Sequence, residues 1–189
     1  MGADSDLQHQ WPIERDVLLK RHPRERWAAN RSLDVAFWLE VHRRFRAECA
    51  ALEGLADDYR QQRLPVHQLA IVAAPRLSGL LTDLHGHHQV EDFHYFPVFR
   101  RLAPQLASGI DVLEHDHSEL DEDAGVARGA LRELRAALAK GDSNTLGATA
   151  ALAAQQFVTA SSRLCLRIGR HLNDEEDLVV PLLLEQEGV

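Results

Sequence analysis

A chain of 189 residues with 45% hydrophobic residues is long enough to bury one core of ordinary size. Its 21 Lys and Arg stand against 29 Asp and Glu for a net charge of −8, and no basic block interrupts them, which excludes a surface built for nucleic-acid phosphates or an anionic membrane. There is no bilayer-length apolar run and no basic, apolar leader at the start, and Cys49 and Cys165 form no CxxC or zinc-ribbon spacing, so a cytoplasmic protein with two free thiols is expected.

Residues 1–30 read as an N-terminal extension with Trp11-Pro12, His22-Pro23 and one short helix at 13–21. It carries no chemical motif, and His9 and His22 read as surface residues. Residues 31–187 read as one helical domain. Its first helix follows Ser32, a ready cap, and shows Val35, Trp38, His42, Phe45, Cys49 and Leu52 in steps of three and four. A break at 61–65 precedes a second helix running to about Arg101, kinked or split at Pro75, with the stripe Leu77, Leu80, Leu84, His87, Glu91, His94 and Val98.

Ser108 and Gly109 restart the chain into a third stripe of Ile110, Leu113, His117, Leu120, Ala124, Ala127, Leu131, Leu134 and Leu138. The segment 141–144 is a turn with an N-cap, and a fourth helix carries Phe157, Ser161, Leu164, Ile168, His171, Glu175, Leu178 and Leu182. Strand signals are absent. The pattern predicts an all-α fold, an up-down-up-down four-helix bundle with a short N-terminal extension.

Two of the helices share a motif. His87-x3-Glu91 and His171-x3-Glu175 are each followed by an acid (Asp92, Glu176) and then, at matched spacing, by Pro97 and Pro181. On a helix, His and Glu four apart lie one above the other. His42 and His117 are the polar members of the other two stripes. Singly, each reads as a core histidine satisfied by a neighbour. Together, four marked stripes put imidazoles and carboxylates where burial without a partner costs several kcal/mol. In an antiparallel bundle their levels agree to within roughly 8 Å, at about 1.5 Å per residue. A metal pair held by His42, His87, Glu91, His117, His171 and Glu175 satisfies this arrangement, with iron, manganese or zinc suited to the nitrogen and oxygen donors.

These residues and their order resemble the hemerythrin-like, or HHE cation-binding, family over about residues 32–186. The resemblance implies a four-helix bundle and a non-haem di-iron centre. Its two iron ions would be oxo- or hydroxo-bridged, with Glu91 and Glu175 bridging and the histidines terminal. The oxygen carriers of the family have a second His four residues after the third-helix ligand and an Asp on the fourth helix. Asp121 stands at the first of these positions and Glu175 or Glu176 at the second, so the ligand set departs from theirs. His94 reads as a seventh ligand or as a hydrogen-bond partner of a carboxylate, and Asp121 equally as a ligand or a solvated acid. His85, His88 and His115 lie off their stripes. Asp92 and Glu176 are expected to face outward, Trp38 to wall the site, and Tyr59 and Tyr95 to pack.

A ferritin-like reading, from the two Glu-x2-His pairs Glu91/His94 and Glu114/His117, is rejected because it leaves His87 and His171 unexplained. The expected function is a di-iron protein that binds or reacts with a small ligand (O2, peroxide or NO) in an oxygen, redox or iron response. The alternative is an enzyme with peroxide-degrading or ferroxidase activity, and a third reading is a sensor acting through a protein partner. No nucleic-acid or membrane partner is expected.

Overall fold

The computed structural model describes residues 11–29, 32–139 and 145–187. The expected turn at 141–144 and the terminal His9 lie outside the described residues. The helices are α1 (Ile13–Arg21), α2 (Leu33–Arg60), α3 (Val66–Val90), α4 (Phe96–Leu102), α5 (Ala107–Ala139) and α6 (Thr145–Glu187), and no strand occurs among the described residues. None is long and apolar enough to cross a membrane. α2 packs on α3 and α6, and α5 packs on the same two.

Local chemistry sets the helix ends. The Ser32 hydroxyl accepts from the Val35 N–H at 3.1 Å and opens α2. At its other end Gln62 takes φ 59°, and the N–H groups of Arg63 and Leu64 turn back to the Asp58 carbonyl. Pro65 then starts α3.

Pro75 does not split that helix, which runs through it from Val66 to Val90. Its ring is exposed, and the Ile71 carbonyl left without a helical donor lies on the same solvent-facing side, where water can bond it. The helix is interrupted later. Glu91–Tyr95 forms a π-turn, in which the Phe96 N–H reaches the Glu91 carbonyl five residues back. Pro97 has no N–H to bond Phe93, which favours the wider turn. The extra residue rotates α4 relative to α3. Phe96 and Phe99 are buried, whereas His94 and Val98, both expected on the inner stripe, are exposed.

The core lies in two main apolar parts, with a smaller third cluster where the extension meets α2 and α6. One contains Phe45, Leu52, Leu77, Leu84, Leu120 and Ile168, and the other contains Trp38, Phe96, Phe99, Leu113 and Leu178. Going along the chain, α2 passes from the second part (Trp38) to the first (Phe45), and α3 with α4 returns from Leu84 to Phe96. α5 then runs from Leu113 to Leu120, and α6 from Leu172 to Leu178. On α2, α3 and α5 the residues between the two parts include the histidines; on α6 they include Glu175, with His171 at the edge of the first part beside Leu172.

The extension is not a loose tail over its described length. Trp27 is buried with Val35, Val180 and Leu184, and its indole N–H donates to the His22 carbonyl at 2.8 Å. Arg15 pairs with Asp177 at 2.8 Å, and Arg24 with the same carboxylate at 2.7 Å. His22, read as a surface residue, is half-buried, with Nε2 2.7 Å from Glu185. Gly109 marks where the extension, α5 and α6 converge, since a Cβ there would meet Leu178 at 3.2 Å and Pro12 at 3.3 Å.

Candidate metal centre

Seven side chains meet between the two apolar parts. His42, His87, Glu91 and Glu175 form one group and His88, His117 and His171 a second, with one donor atom per residue in each group lying within 4.8 Å of the others. The carboxylates join the groups. Glu91 Oε1 is 2.9 Å from His87 Nε2, and its Oε2 is 3.6 Å from His117 Nε2. Glu175 Oε2 is 3.4 Å from His42 Nε2 and 3.5 Å from His171 Nε2. Each carboxylate therefore touches both sets of imidazoles.

Burial is nearly complete. Glu91 is 1% exposed and Glu175 0%. No hydrogen-bond partner reaches the ring nitrogens of His88 or His171, the Nε2 atoms of His42, His87 and His117, or any carboxylate oxygen of Glu91 and Glu175. Elsewhere among the described residues, only Arg15, Trp38 and Asp123 contribute such an atom. Buried polar groups are normally paired, so a concentration of nitrogen and oxygen lone pairs directed at one another fits cations.

The electrostatics agree. Burial pushes Glu91 up to about 8, partly offset by the neighbouring Glu175 carboxyl and reinforced by the charge of Asp92. Glu175 rises to about 7 through burial and then the neighbouring Glu91. His117 falls to about 2 and His88 lower still, through burial first and then the nearby histidines. His87 is lowered mainly by burial. The protein alone thus disfavours charge on both acids and bases, and a bound cation reverses that preference for the carboxylates while keeping the imidazoles neutral.

A second ring of acids orients the imidazoles. His42 Nδ1 donates to Glu176 Oε1 at 3.1 Å, and the same oxygen accepts from Arg46 at 2.6 Å. Burial raises Glu176, but the bonds from His42 and Arg46 outweigh it and hold the carboxyl below its usual range. His117 Nδ1 donates to Asp92 Oδ1 at 2.8 Å. Asp92 rises to about 6 through burial and then Glu114. Asp116 Oδ2 stands 3.6 Å from His171 Nδ1, beyond a good hydrogen bond. A proton fixed on Nδ1 leaves Nε2 with its lone pair facing the centre, the arrangement metal-binding histidines use.

The structure brings all six of the residues His42, His87, Glu91, His117, His171 and Glu175 together. It leaves Asp121 exposed and turns His94 to solvent through the π-turn. Glu176, expected outward, is buried, and Asp92 is half-buried with its oxygen on His117. His88 joins the cluster although a stripe through His87 passes it by. It comes after Leu77, Leu81 and Leu84 in steps of four, three and four, so its signal is present in the sequence. Its ring stacks on His117 at 3.8 Å. Asp116, packed beside His171, likewise falls between Leu113 and Leu120 in steps of three and four. Trp38 does wall the centre, 6.0 Å from the His42 ring, and Tyr95 packs on Trp38 at 5.0 Å.

No curated protein and no solved structure matches the chain. Residues 33–183, which hold every member of the cluster and its ring of acids, match the model of the Hemerythrin family, "Hemerythrin HHE cation binding domain". The chain belongs to the hemerythrin HHE cation-binding family.

Proposed function

We propose that this protein is a non-haem di-iron protein whose centre binds or reacts with a small ligand: dioxygen, nitric oxide or peroxide. The observation that carries the reading is the pair of buried carboxylates, Glu91 and Glu175, each within 3.6 Å of imidazole nitrogens from both groups. Two acids shared between two nitrogen sets serve two cations better than one. His42 and His87 would hold one ion, His88, His117 and His171 the other, and Glu91 and Glu175 would bridge. Bound iron would supply a redox change and an open position for the ligand. The protein's part is to orient the imidazoles through Glu176 and Asp92, and to exclude water with Trp38, Phe96 and Leu113.

The reading extends to the fold and setting. The bundle is up-down-up-down over residues 31–187, with residues 1–30 as an extension, supported by the alternation of the helices between the two apolar parts. Two buried free thiols suit the cytoplasm. The test is reconstitution with Fe(II) followed by metal analysis and ultraviolet-visible spectroscopy after exposure to air. About two irons per chain and charge-transfer bands that change on adding azide or nitric oxide are expected. Fewer than about one iron per chain, or retention unaffected by Glu91→Ala, would end the proposal.

A further inference from the structure

Away from the histidine layer, a groove of about 960 Å3 runs along the outside of the bundle between α3 and α5. Its floor is apolar, with Leu77, Leu81 and Leu131 buried beneath it. Arg128, Arg132 and Arg135 line the α5 wall and are exposed. Elsewhere on the surface Arg15, Arg24, Arg46, Arg100 and Arg167 pair with carboxylates. Arg128, Arg132 and Arg135 form no ion pair or hydrogen bond with any described residue.

Their spacing is also costly to the helix itself. Arg128 and Arg132 are like charges four apart, which destabilises an isolated helix, and Arg135 extends the row to about 10 Å. An apolar trough with an unneutralised row of guanidiniums, on a chain of net charge −8, is complementary to something apolar on one face and acidic on its flank.

We propose that this groove docks an acidic amphipathic helix of a partner protein. The apolar face of such a helix would lie on Leu77, Leu81 and Leu131. Carboxylates at i, i+4 and i+7 would meet Arg128, Arg132 and Arg135 in charge-assisted pairs. The length of the row decides for a helix over a single-headed anion: a fatty-acid carboxylate engages one end of a 10 Å row and leaves the rest exposed. The proposal does not depend on iron. His85, which also lines the groove, is the nearest groove residue in sequence to the cluster, two before His87.

The full chain is titrated, with and without iron, into a fluorescein-labelled synthetic helix that has Leu in steps of three and four flanked by Glu. Fluorescence anisotropy is read, with the same peptide carrying Lys for Glu as the control. The acidic peptide is expected to bind with Kd of about 100 µM or tighter and to weaken severalfold as salt rises. The Lys peptide should not bind. Arg132→Glu with Arg135→Glu should weaken binding about tenfold or more, and Arg132→Gln less but in the same direction. Both variants should keep the wild-type circular dichroism and lose no Tm, since the side chains are exposed and each variant relieves the like-charge pair with Arg128. The proposal is overturned by no binding below about 1 mM, by equal binding of the two peptides, or by binding indifferent to the arginine variants. Displacement by stoichiometric palmitate would reassign the groove to a lipid anion. A concentration-dependent dimer broken by Arg132→Glu would reassign it to a second copy of the chain.

Discussion

Removing the Glu176 carboxylate tests whether the acids around the centre act through the imidazoles. Glu176 is 4% exposed and touches no other member of the cluster except His42. Glu176→Ala deprives the fully buried His42 of its Nδ1 acceptor, which costs about 1–3 kcal/mol in the metal-free protein. The Arg46 and Arg24 pairs add little to this, because those side chains are 36% and 41% exposed and water screens them to within about 1 kcal/mol. Loss of an acid behind a ligating histidine typically lowers metal affinity about 10–100-fold, or about 1.4–2.8 kcal/mol. Competition for Fe(II) against a chromophoric chelator measures the second quantity, and urea denaturation of the metal-free protein the first. Glu176→Gln keeps an oxygen for Nδ1 and should fall between wild type and Glu176→Ala in both assays. Glu40→Gln, which removes only exposed pairings with Arg43 and Arg44, should change neither. A folded Glu176→Ala protein that binds iron within about threefold of wild type would refute the reasoning.

Other consequences can be measured on the same preparations. His88→Ala should cost about one iron per chain, whereas His94→Ala should leave the iron content unchanged, and equal losses from both would contradict the placement made by the π-turn. The pH dependence of metal-free stability has a definite sign. Glu91 and Glu175 have folded pKa values raised from 4.5 to about 8 and about 7, so the stability they contribute is complete below pH 4.5 and is lost as pH rises through those values. His87, His88 and His117 have lowered folded values, so their contribution is present above 6.5 and is lost as pH falls. Above pH 6.5 only the carboxyls still act, and the metal-free Tm should decline from there to pH 8, a slope that iron loading should abolish. A metal-free Tm that rises across that interval would contradict the buried-acid picture. Trp27→Ala should destabilise the chain by about 3–5 kcal/mol in urea while leaving iron stoichiometry intact, because the indole packs on Val35, Val180 and Leu184 and not on the cluster.

The parts of this centre that are legible in the sequence are those governed by ordinary helical periodicity. His42, His117, His171 and Glu175 sit in runs of three and four that continue unbroken through apolar neighbours, and each is buried. The π-turn defeats that periodicity on the second helix. A pattern of threes and fours cannot register a single step of five, so it projects His94 inward, and only Pro97 hints at a disturbance. His88 escapes for a different reason: His87 and His88 both reach the interior, and a one-residue-wide stripe admits one of them. The inward turn of Asp92 and Glu176 is not legible because an acid beside a ligand turns inward only when an imidazole or guanidinium waits for it on another helix. The same limit applies to the extension, where the helix at 13–21 is readable and its anchoring by Asp177 and Glu185 is not.

The division of the core into two apolar parts has a bearing on how the chain folds. Each part is assembled from segments of at least three of the bundle helices, and each can gather hydrophobic contacts without the other. The histidine and carboxylate layer between them adds no attraction of that kind until a cation arrives. Before metal uptake the layer is a seam across which cooperativity is weakest, and amide exchange there should exceed that in either half. Cation binding closes the seam at its middle and makes one folding unit out of two. The timing of metal capture would then set when the protein becomes a single cooperative body.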